Sequence, residues 1–180
     1  MRIIGGRFRG RRLIAPEGFD VRPTGDRARE ALFNILEHGE PPLRGSRFLD
    51  LFAGTGAIGL EACSRGAAEV LLVESDPEAA RTIRANLKRM HEPENVRLLV
   101  RDATRPGPPP HPFDIAFLDP PYRSGLAMPA LEALAQGWLP PDGRVIVELA
   151  ANDHFQPPAG FEVEQERRYG AARFVFCRFE

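Results

Sequence analysis

The stretch DLFAGTGAIG, Asp50–Gly59, decides the fold. An apolar run that reads as a strand, RFLDLF, leads into it, and a segment reaching about Arg65 that reads as a helix leads out. Gly54 and Gly56 let the chain turn tightly and let a ligand lie against bare peptide, while Gly59 permits close helix–strand contact. The pattern is formally G-x-G-x-x-G. Glu74, twenty residues beyond Gly54, closes the next strand-like run, EVLLVE, where an acid binds ribose hydroxyls. Alone, this indicates an adenosine-containing ligand on a Rossmann-like sheet. A tight turn that binds nothing is the bland reading.

Two further acids narrow the ligand. Asp50 stands four residues before Gly54, inside the strand end, where a pyrophosphate-binding loop would gain nothing from negative charge. It suits a ligand carrying positive charge, such as an amino group or a sulfonium. Asp102 follows the strand-like VRLLV and can accept a hydrogen bond from an adenine amine. Each acid alone reads as a solvated loop residue. Together, at three consecutive strand ends, they line the crevice where open α/β sheets bind ligands and favour S-adenosylmethionine over a dinucleotide.

Outward from this point, strands and helices alternate. PEAARTIRANLKRM (Pro77–Met90) is expected to be a helix with Pro77 in its first turn, and Leu126–Gly137 a second. FDIAFL and GRVIVEL are expected strands, and RPGPPPHP (Arg105–Pro112) a loop. This alternation means βαβ units and a mainly parallel sheet, closed by an antiparallel hairpin from Phe161–Tyr169 and Ala171–Phe179. Before the sheet, RPTGDRAREALFNILEH (Arg22–His38) reads as a helix capped by Thr24 or Asp26.

FDIAFLDPPY ends a strand in Asp119, Pro120, Pro121 and Tyr122, beside the same crevice. The lone pair of an exocyclic amine on a base is conjugated into the ring, so methylating it needs acceptors aimed at the two amine hydrogens. Ionised Asp119 is acceptor-only, and a carbonyl of Pro120 or Pro121, held by the fixed proline φ, can be the second. Tyr122 offers a flat face for the base, a contact worth about 1–3 kcal/mol. A proline turn with an exposed tyrosine is the bland alternative.

The chain has 180 residues, 43% apolar and 27% charged, the make-up of one globular domain. No apolar run is long enough to cross a bilayer, and the arginine-rich start lacks a secretory signal's apolar core, so a cytoplasmic address is expected. Cys63 and Cys177 are expected to be buried free thiols, and no metal is expected because the histidines share no ligand spacing with them. The net charge of −1 hides an asymmetry: eight arginines stand against three acids in residues 1–29. One basic end on a neutral chain suggests a polyanionic partner, although on charge alone a solvated tail is the better reading.

RPTGDRAREALFNIL, LDLFAGTGAIGLEACSRGA, FLDPPY and the late RRYG together resemble the RsmD family of bacterial 16S ribosomal RNA guanine-N2-methyltransferases, over nearly the whole chain. The resemblance implies a class I S-adenosylmethionine-dependent fold: a seven-stranded, mostly parallel sheet with a C-terminal antiparallel hairpin. It implies S-adenosylmethionine as cofactor and 16S rRNA or a small-subunit assembly intermediate as partner; a monomer is expected. By position, Asp50, Phe52, Gly54, Gly56, Glu74, Ser75, Asp102, Ala103 and Thr24 would hold the cofactor, and Asp119–Tyr122 the target amine. Arg2, Arg7, Arg9, Arg11, Arg12 and Arg22 would grip RNA. Residues 1–40 would be a basic, RNA-binding extension packed on a methyltransferase domain of residues 41–180. Ala171-Ala172 and the proline-filled loop depart from the family pattern. The competing readings are an adenine-N6 or other amino-methyltransferase acting on nucleic acid, an NAD-dependent oxidoreductase on the same glycine fingerprint, and a non-catalytic RNA-binding module.

Overall fold

The computed structural model describes residues 1–16 and 25–180. Seven strands form one sheet: β1 (Arg47–Leu51), β2 (Glu69–Val73), β3 (Val96–Leu99), β4 (Ile115–Leu118), β5 (Arg144–Ala150), β6 (Phe161–Tyr169) and β7 (Ala172–Phe179). Their order is β3-β2-β1-β4-β5-β7-β6. Strands β1 to β5 pair in parallel, and β7 runs antiparallel to both β5 and β6. The expected mostly parallel sheet with a closing hairpin is what the chain forms.

The central strands read as continuous apolar runs because both faces are covered. Alternate residues feed two cores. Phe48, Ile115, Phe117, Ile146 and Phe176 pack under α1 (Asp26–Glu37), α2 (Ala57–Ser64) and α3 (Pro77–Arg89). Leu49, Leu51, Ala116, Leu118, Val145 and Val147 pack under α4 (Ala127–Leu134) with Trp138. Trp138 stacks on Phe113 with ring centroids 6.0 Å apart, and its indole N–H donates to the Gly107 carbonyl at 3.0 Å, which holds down the proline-rich connection between β3 and β4. Cys63 and Cys177 are buried free thiols. Among the described residues no helix is long and apolar enough to cross a membrane.

Helix starts separate local signals from tertiary ones. Asp76 caps α3, accepting from the N–H groups of Glu78 and Ala79 at 2.9 and 2.7 Å, with Pro77 next in the chain. The expected side-chain cap of α1 by Asp26 does not form. Gly25 is the N-cap, and the Asp26 carboxylate instead meets the Arg29 guanidinium at 3.1 Å and that of Arg2 at 3.8 Å. Two cations offer this carboxylate more than two backbone N–H groups do. Thr24 and Arg22 lie outside the described residues.

The arginine-rich start is folded. Arg2 and Arg12 form an antiparallel bridge, and the Ile3 N–H donates to the Arg11 carbonyl at 2.9 Å. Ile3 and Leu13 are buried in the first core, each contributing about 1.5–3 kcal/mol to docking the arm.

Candidate active site

The strand at which the order turns back is β1, with β2 on one side and β4 on the other. Ligands bind outside the carboxyl ends of such strands. Backbone hydrogen bonds bring those ends level: Ala53 N–H to the Val73 carbonyl at 3.1 Å, Glu74 N–H to Leu99 at 3.2 Å, and Asp119 N–H to Leu51 at 3.3 Å. The glycine loop, Glu74 and the D-P-P-Y turn are therefore neighbours along one rim.

The loop leaves β1 through Phe52 at φ 60°, a conformation a bulky residue adopts at a cost. Gly54 follows at φ 58° and Gly56 at φ 79°. A Cβ at Gly54 would meet nothing nearer than the Phe52 carbonyl oxygen at 4.0 Å, so its bare peptide faces open space. Gly59 is the reverse case: a Cβ there would lie 2.2 Å from Leu72 Cδ2. That glycine sets how closely α2 lies on β2.

The three rim acids have different surroundings. Asp50 is buried, and its Oδ2 accepts the Gly59 N–H at 2.9 Å from beneath the loop. Burial pushes its carboxyl up to about 7; the Gly59 hydrogen bond opposes this and the charge of Glu74 adds to it. Glu74 is half-buried and bridges the rim, its Oε2 accepting from Gly54 N–H at 2.8 Å and Oε1 from Asp76 N–H at 2.9 Å. Each oxygen keeps a lone pair for a ribose hydroxyl. Asp102 is exposed; hydrogen bonds from the Thr104 N–H and hydroxyl, both at 2.8 Å, hold it below the usual carboxylate range. Ser75 is exposed beside Glu74, Ala103 is buried in the second core, and the half-buried Phe52 packs against that core. Of the expected cofactor residues, Phe52, Gly54, Gly56, Glu74 and Ser75 stand along this rim, with Asp50 as a brace beneath the loop.

Strand β4 is buried throughout and gives way to a half-buried Asp119, a buried Pro120, an exposed Pro121 and a half-buried Tyr122. The Ser124 N–H closes the turn onto the Pro121 carbonyl at 3.2 Å. A cavity of about 310 Å³ opens here, lined by Pro120, Pro121 and Tyr122 and by Leu149, His154 and Phe155 from the neighbouring strand's end.

Sequence reasoning missed two buried polar residues that fasten the arm to the rim. Glu61 on α2 is fully buried; its carboxylate accepts the N–H groups of Ile4 and Gly5, each at 2.8 Å, and pairs with Arg65 Nε at 2.8 Å. Asn86 on α3 is also fully buried. Its Oδ1 accepts Ile14 N–H at 2.7 Å, and its Nδ2 donates to the Ile14 carbonyl at 3.1 Å and to the Thr55 carbonyl of the glycine loop at 2.9 Å. The readable signal was Glu61 alone inside the apolar AIGLEAC.

The arm's arginines divide. Arg2, Arg9 and Arg12 are exposed. Arg7 is exposed but hydrogen-bonds Asn95 Oδ1 at 3.3 Å, and the half-buried Arg11 donates to the Arg89 carbonyl at 2.8 Å. Both lie over the Phe8 ring, at 4.6 and 5.2 Å. Those two are partly committed to holding the arm together.

Dinucleotide-binding sheets of this type run 3-2-1-4-5-6. Here β7 is inserted antiparallel between β5 and β6, and with the acids of the rim this makes the chain a class I S-adenosylmethionine-dependent methyltransferase. A family model described as "Conserved hypothetical protein 95" matches residues 1–178, and the chain belongs to that family. The resemblance to the RsmD family is borne out by its relatives. It is 36% identical to "Ribosomal RNA small subunit methyltransferase D" of Escherichia coli (strain K12), over 97% of this chain and 87% of that protein. The protein of the same description from Haemophilus influenzae is 34% identical, over 97% of this chain and 91% of that one. A solved Escherichia coli structure, yhhF, is similar with a TM-score of 0.86 at 34% identity, covering 100% of this chain and 98% of that one.

Proposed function

We propose that this protein transfers a methyl group from S-adenosylmethionine to the exocyclic N2 amine of a guanine in 16S rRNA of the small ribosomal subunit, in the cytoplasm. The observation that carries the reading is the Asp119 N–H bond to Leu51, which sets the D-P-P-Y turn on the strand beside the glycine loop. The names of the relatives support small-subunit RNA as the substrate.

The rim fits this cofactor. Gly54 leaves space for it, Glu74 and Asp102 supply acceptors for ribose and adenine, and Asp50 braces the loop from beneath through the Gly59 N–H. S-adenosylmethionine, when bound, supplies an electrophilic methyl on a positively charged sulfur. Asp119 accepts a hydrogen bond from the target amine and a carbonyl of the proline pair accepts the second, so the nitrogen lone pair is freed from the ring and aimed. Positioning of this kind supplies much of the rate. Asp119 need not be a strong base, because the aminium left after transfer is acidic. Tyr122 supports the base by stacking.

The arm is proposed as the RNA-backbone contact, with residues 1–40 serving RNA and residues 41–180 the chemistry. The exposed Arg2, Arg9 and Arg12 are its working members. Sequence choice then comes from an exposed RNA loop and a base turned out of its stack.

Incubation of small-subunit RNA and assembly intermediates with labelled cofactor, followed by nuclease mapping and nucleoside analysis, tests the reading. N2-methylguanosine at one position is expected. N6-methyladenosine would select the adenine alternative, and tight NAD binding without S-adenosylhomocysteine binding the oxidoreductase.

A further inference from the structure

The cavity of about 310 Å³ beside the D-P-P-Y turn has walls from two strands' ends. Tyr122 comes from the loop after β4. Leu149, His154 and Phe155 come from the end of β5 and the loop after it, which the amine-holding chemistry does not use. The volume is at the lower end for a site that encloses a small ligand.

That second loop is built to hold its shape. The Ala151 N–H donates to the Ala171 carbonyl at 2.9 Å, and the Asp153 N–H to the Ala150 carbonyl at 3.1 Å. Arg173, on β7, donates from Nη2 to the Asp153 carbonyl at 2.5 Å. Its guanidinium is almost wholly buried, and its Nε has no partner among the described residues. Its Nη1 lies 3.6 Å from Glu166 Oε2 on the neighbouring strand, so the guanidinium is held between that carboxylate and the Asp153 carbonyl. Phe155 packs against the second core with part of its ring, and the half-buried remainder lines the cavity. An aromatic ring seated on a core and placed in a cavity with a second aromatic residue is a rigid stacking platform.

We infer that Phe155 is a second stacking wall for the target base; this rests on the methyl-transfer reading above. A flat heterocycle with polar edges fits aromatic walls next to an acceptor such as Asp119, whereas backbone phosphates are served by the arm. Stacking would hold the base in its turned-out position, so losing it lowers the fraction of bound RNA that is ready to react.

The experiment compares Phe155→Ala, Phe155→Leu, Phe155→Tyr and Phe155→Trp in the full chain. The readouts are kcat/KM with small-subunit RNA and labelled S-adenosylmethionine, and affinity for S-adenosylhomocysteine. Loss of stacking predicts about a tenfold lower kcat/KM for Ala and Leu alike, near-normal values for Tyr and Trp, and unchanged affinity in all four. A merely structural ring would be replaced well by the apolar Leu. Full activity of either Leu or Ala in a preparation whose parent is active overturns the inference and leaves the methyl-transfer reading standing. A parent that binds S-adenosylhomocysteine but methylates no RNA overturns both.

Discussion

At the scale of single residues, Asp50 makes the sharpest prediction. Its folded carboxyl is pushed up to about 7 from an ordinary 3.8, so between those values the folded protein holds a proton that the unfolded chain has released. Stability therefore falls as pH rises through that window, by on the order of a few kcal/mol, with the penalty fully present above it. Asp50→Asn keeps an oxygen for the Gly59 N–H and removes the titration. Urea unfolding at about pH 5 and about pH 8 should show a drop in the parent and a much flatter response in the variant. Equal slopes would mean Asp50 is ionised when folded. Sequence reading had placed this acid correctly at the strand end and missed its burial, because nothing local reveals that Gly59 turns its N–H toward it.

At the scale of elements, the arm, α2, α3 and the glycine loop are one assembly. Strands and helices were legible because their apolar residues recur at the spacing that buries them, and the D-P-P-Y turn because proline stops a strand. Of the clamp, Glu61 leaves one signal, a lone acid in an apolar run, and Asn86 leaves none, since in one sequence a buried polar residue resembles a surface one. Nor was the start of α1, where Asp26 pairs with two arginines distant from a capping role. Asn86→Ala would leave Ile14 and the Thr55 carbonyl without their partners, each loss costing about 1–3 kcal/mol. A lower Tm is expected, with affinity for S-adenosylhomocysteine about tenfold weaker because Thr55 stands between the two loop glycines. A destabilised variant that binds the cofactor product normally would show that the loop holds its shape without the arm.

At the scale of the molecule, charge is distributed by task. The net charge is −1, yet the arm exposes Arg2, Arg9 and Arg12 on a backbone fixed to the rim. Converting these three to Gln should weaken binding to small-subunit RNA and reduce the salt slope by about two units, since each phosphate contact on a single strand contributes about 0.7. The arm's backbone bonds to Glu61 and Asn86 remain, so affinity for S-adenosylhomocysteine should be unchanged. An unaltered salt slope would remove the arm from the RNA interface.

The reaction itself turns on Asp119, and the most direct measurement is single-turnover transfer of labelled methyl to small-subunit RNA by the parent and by Asp119→Ala. The expected result is a rate lower by about a hundredfold or more in the variant, with RNA and S-adenosylhomocysteine still bound. Transfer at the parent's rate without that carboxylate would contradict it.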